Sequence, residues 1–170
     1  PGPDGVQWQH LCSLPETFLS RLAVLFESRL NLDTGIPEEL PEWRAVLLHM
    51  IPKSGGIIDV TKYRPIALTS VVQKLYLSIC TCLSEGYLKR HARYQLGFTQ
   101  GRQTLEMCEL IREGYAKSEE WGLHLVTVKA DVMRAFDFLS HSLIQKSLIA
   151  AGLPYQLVHA FIYELSFSTM

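Results

Sequence analysis

The stretch VKADVMRAFDFLSH places two carboxylates, Asp131 and Asp137, six positions apart, with Phe136 immediately before the second. Carboxylates this near can decorate a surface, cap a helix, or form half of a metal site, since magnesium is held by hard oxygen donors. The residues before Asp131 bear on the choice. LHLVTVKAD alternates, with Val126, Val128 and Ala130 to one side and Leu125, Thr127, Lys129 and Asp131 to the other. That pattern predicts a strand with Asp131 at its end on the more polar face. Two further residues have the chemistry to meet phosphate: Lys53 in IPKSGG, a point charge, and Arg64 in YRPIAL, a guanidinium fork. Each also has a plainer account. An aspartate after a strand is most often a turn or cap residue, Lys53 beside Gly55 and Gly56 reads as a solvated loop lysine, and Phe136 reads as core.

The elements that must position these residues are legible from periodicity. SLPETFLSRLAVLFESRL sets Leu14, Phe18, Leu22, Leu25 and Phe26 on one helical face over residues 13–30, with Pro15 tolerated in the first turn. NLDTGIPEELP is a loop. WRAVLLHMIPK then predicts a strand ended by Pro52, SGGIIDVTK a turn, and YRPIAL a returning strand, together a β-hairpin with a long glycine-bearing tip. Pro65 puts that second strand at an edge, because proline cannot donate to a ladder. Ser70 and Gln73 match a capping box ahead of Val71, Val72, Leu75, Tyr76, Ile79 and Leu83 at helical spacing. Lys89, Arg90 and His91 sit at that helix's far end, where cations suit the dipole. YQLGFTQGRQ is a loop, followed by a helix to about residue 118. Ser140 caps a helix that Gly152 terminates, and Pro154 begins another.

Composition sets limits on function. Hydrophobic residues make up 48% and charged residues 19% of 170, so the chain folds around a core. The net charge is −1, from 16 basic and 17 acidic side chains, and leaves no general basic footprint for nucleic acid. Contact with a polyanion must therefore rest on local placement of Lys and Arg. Cys12, Cys80, Cys82 and Cys108 lie in apolar segments without CxxC spacing, and read as reduced core residues of an intracellular protein. No signal peptide or membrane span is visible. The opening PGPDG and the closing ELSFSTM read as an excerpt of a longer polypeptide.

Taken in order, PGPDGV, WRAVLLHMIPKSGG, YRPIALTSVVQKL, QLGFTQGRQT and VKADVMRAFDFLSH resemble successive blocks of the reverse transcriptases of non-LTR retrotransposons, from Pro1 to about Gly152. The resemblance implies an α+β, incomplete right-hand fold: one partial domain over residues 1–170, fingers-like over about 1–122 and the start of a palm over 123–170. It implies template-directed nucleotidyl transfer with two divalent ions, Mg2+ or Mn2+, expected only in the complete domain. Asp131 and the backbone carbonyl of Val132 would be metal ligands, and Asp131 the catalytic carboxylate. Lys53 and Arg64 would meet the incoming triphosphate. Phe136 would pack beneath its sugar, where a bulky ring clashes with a 2′-hydroxyl. Gln95, Gly97, Phe98 and Arg102 would lie along the template. Asp137 would be a supporting or capping group, and Lys62 and Lys74 could add positive charge.

The implied partners are an RNA template, a DNA primer, deoxynucleoside triphosphates and the remainder of the same polypeptide beyond Met170, with no membrane. The implied setting is intracellular and at nuclear DNA, although no basic localisation run is present. Two features of the family are missing: an aromatic-x-Asp-Asp and a Gln-Gly block, which would follow Met170. Ala67 stands where the family commonly has serine, and Thr99 where it has an arginine-type residue. The chain alone is therefore expected not to polymerise. The alternative is a non-catalytic remnant that binds nucleic acid or protein. An isolated piece is also expected to leave the apolar faces of helices 141–151 and 154–166 without partners, and so to aggregate.

Overall fold

A computed structural model describes residues 1–31, 43, 45–53, 63–88, 95–99, 101–132 and 138–167. Among these the chain is α+β, with six helices and one two-stranded antiparallel hairpin. The helices are α1 (Trp8–Cys12), α2 (Glu16–Leu30), α3 (Val71–Leu88), α4 (Thr104–Trp121), α5 (His141–Ala150) and α6 (Tyr155–Phe167). The strands are β1 (Leu47–Pro52) and β2 (Tyr63–Leu68), both between α2 and α3 in the chain. The loop at 32–42, the hairpin tip with Lys62, the cluster Lys89–His91, and Phe136 with Asp137 lie outside the described residues.

The core forms around α6. Leu157, Val158 and Ala160, with Leu153 just before the helix, are buried against Phe26 of α2, Trp43, and Tyr76 and Cys80 of α3. Val158 has no exposed surface, and burial of a side chain of that kind stabilises by about 1.5–3 kcal/mol. Phe26, Trp43 and Tyr76 form a three-ring cluster with centroids 5.3–6.3 Å apart, edge-on or tilted as the ring quadrupoles prefer. Burial in this cluster pushes the Tyr76 phenol and the Cys80 thiol up from their ordinary ranges. The helix expected at 154–166 thus has partners and is the centre of the fold. The helix α5 also packs on α6, with Leu148 against the core, though it buries no residue fully and its Leu143 and Ile149 remain more than half exposed.

A buried ion pair crosses this core. Arg29 Nε donates to Glu164 Oε1 at 2.8 Å, with Nη2 at 2.7 Å from the same oxygen. Gln73 Nε2 donates to the other carboxylate oxygen at 2.9 Å. The guanidinium lies 4.6 Å from the Trp43 ring centroid and 5.3 Å from that of Tyr163. This pairing corrects the expected capping box. Gln73 turns inward to Glu164, and Ser70 caps α3 alone, its Oγ accepting from the Val72 amide at 3.2 Å.

The hairpin follows its sequence. β1 and β2 pair antiparallel in the register Leu47↔Leu68 through Pro52↔Tyr63, so Pro65 faces Met50 and Arg64 faces Ile51. In a sheet of two strands both are edges, which is where proline is accommodated. The opening turn explains another part of the sequence. Gly2 is buried, and a Cβ there would sit 2.6 Å from the Thr69 carbonyl oxygen, so only glycine fits against the β2–α3 junction.

Two expectations are overturned. Residues 123–132 are not a strand, and the described sheet holds only β1 and β2. Alternation specifies which side chains share a face, but a strand also needs a ladder partner, and none is present among the described residues. The segment instead returns along α4, where the Tyr115 hydroxyl lies 2.9 Å from Thr127 Oγ1, while Val126 and Val128 are each 82% exposed. The cysteines also divide. Cys80 is core, but Cys12, Cys82 and Cys108 are exposed, because only Cys80 of the four joins the cluster around α6.

The helix boundaries at the C-terminal side are as read. Ser140 Oγ accepts from the Leu143 amide at 3.2 Å, and Gly152, at φ 81°, ends the turn beyond α5. Ser140→Ala should lower stability by about 1 kcal/mol. Chemical denaturation checks this, and an unchanged midpoint would mean that the cap is idle.

Candidate functional site

Lys53 and Arg64 are brought to one end of the hairpin by its register. Arg64 pairs with Ile51, and Lys53 lies one residue beyond the last pair, Pro52↔Tyr63. Both are exposed, and Arg64 makes no ion pair or hydrogen bond among the described residues. An uncommitted guanidinium keeps its donors for an anion. Residues 54–62, which join the two strands in the chain, lie outside the described residues.

The 95–102 loop is tightly organised over its described part. Gln95 Nε2 donates to the Gly97 carbonyl at 3.2 Å, Thr99 Oγ1 donates to the Gln95 carbonyl at 2.9 Å, and the Arg102 amide to the Thr99 carbonyl at 3.1 Å. Within this turn Phe98 takes φ 60° and is 99% exposed. A left-handed non-glycine residue costs about 1–2 kcal/mol, and here the strain presents a bare aromatic face to solvent. Arg102 is committed: its Nη1 lies 2.7 Å from Glu106 Oε2. That hydrogen bond, aided by the Gln103 amide on Oε1, holds the Glu106 carboxyl below the usual range. Gln103 and Glu106 together form a capping box on α4. Sequence reasoning missed it, although the QTLE spacing is its signal, with Gln in place of the usual Ser or Thr.

Asp131 and Val132 occupy the segment that follows α4 and are exposed, Val132 by 70%. The Asp131 carboxylate makes no hydrogen bond or ion pair among the described residues. Among those residues no three His, Cys, Asp or Glu side chains converge to hold a metal ion. The donor chemistry of Asp131, a free carboxylate beside an exposed backbone, suits a hard cation, but as part of a ligand set and not the whole. Phe136 lies outside the described residues. No described helix is long and apolar enough to cross a membrane.

No protein-family model matches the sequence. The chain is 29% identical over 156 residues to the retrovirus-related Pol polyprotein from the type-1 retrotransposable element R2 of Popillia japonica. The chain has a retrotransposon-related origin. The match covers 90% of this chain but 20% of the polyprotein, so the retroelement-related segment spans about one fifth of its relative's length. The R2 likeness extends over nearly all of the chain, including at least part of both the hairpin and the 123–132 segment.

Proposed function

We propose that this retroelement-related chain is part of an RNA-directed DNA polymerase, fingers-like over about residues 1–122 and opening the palm over 123–170. The observation that carries the reading is the hairpin end, where exposed Lys53 follows the last pair of the register and exposed Arg64 lies within it, its side chain without an ion pair among the described residues. Arg64 would fork onto the triphosphate oxygens of an incoming deoxynucleotide, and Lys53 would add a point charge there. Phe136 would pack beneath the sugar and exclude a 2′-hydroxyl. Gln95, Gly97, Phe98 and Arg102 would border the RNA template, with the Phe98 ring offered for stacking. Asp131 and the Val132 carbonyl would hold Mg2+ or Mn2+. When bound, such an ion would offset charge on the attacking and leaving oxygens.

The working enzyme would act inside the cell, at nuclear DNA, with RNA template, DNA primer and a later carboxylate block of the same polypeptide. Alone, the chain would not polymerise. The second reading is a non-catalytic remnant that binds nucleic acid or protein.

The test uses a polypeptide that includes the later carboxylate block. Arg64→Ala should raise the apparent KM for deoxynucleotide about tenfold in primer extension on RNA, the size of one charge-assisted hydrogen bond. An unchanged KM removes Arg64 from the nucleotide site.

A further inference from the structure

We draw no further inference here: the strongest candidate, the apolar stripe that Met107, Leu110, Ile111 and Tyr115 leave exposed along α4 beside the 123–132 segment, carries nothing because nothing in the structure shows what covers it.

Discussion

Glu164→Ala is expected to lower the stability of the chain by about 3–5 kcal/mol, a large share of the roughly 5–15 kcal/mol that holds a typical domain together. The reason lies in what the substitution leaves behind. Arg29 and Glu164 are both buried, with side chains 7% and 5% exposed. Removing the carboxylate takes two close contacts from a buried guanidinium that lies among Trp43, Tyr76 and Tyr163, and takes the acceptor from Gln73 Nε2. Gln73 Oε1 has no partner among the described residues, so the amide would then be poorly satisfied at both ends. Replacing the pair together, as Arg29→Met with Glu164→Leu, should cost far less than the single change, because no charge remains buried. Urea denaturation of the two single variants and the double variant measures this as a cycle. A loss below about 1 kcal/mol for Glu164→Ala would mean that water reaches the pair.

The fate of these residues shows what a sequence can and cannot carry. The hairpin, α2, α3, α5 and α6 were readable because each is specified locally: Pro52 ends a strand, Ser140 caps a helix, Gly152 stops one. The Arg29–Glu164 pair was not readable, since it joins residues 135 positions apart and neither helix marks its charged residue as internal. Gln73 misled for the same reason. Its spacing from Ser70 fits a cap, and only the long-range arrival of Glu164 turns it inward. The 123–132 segment failed in the opposite direction. Its alternation is sound local information, but pairing is a tertiary property.

The candidate site divides in the same way. That Lys53 and Arg64 fall at the same end of the hairpin follows from its register, which the sequence largely dictates. The commitment of Arg102 to Glu106 follows from i,i+4 spacing, available in the sequence and overlooked. It also reduces what Arg102 can offer a template, since a phosphate would have to compete with a carboxylate already in place. Phe98 makes no such compromise. A ring held in the left-handed region and almost wholly exposed has no packing role among the described residues.

Asp131→Asn should abolish primer extension, by at least about 100-fold, in a polypeptide that includes the later carboxylate block. Changes that only reorient a metal ligand already cost 10–100-fold, so loss of a ligand's charge should cost more. The substitution is nearly isosteric, and the side chain is exposed without a described partner. Stability should therefore move by no more than about 0.5 kcal/mol, which separates chemistry from folding. A metal role predicts a second signature. The amide retains one oxygen donor, so residual activity should need a higher Mg2+ concentration, with a shifted midpoint in a metal titration. A residue that merely ends a turn would change neither the rate nor the midpoint. Extension at the parent rate, with the parent Mg2+ dependence, would detach Asp131 from the reaction. The exposed Lys53 and Arg64 would then be left as an anion-binding hairpin, the remnant that binds but does not polymerise.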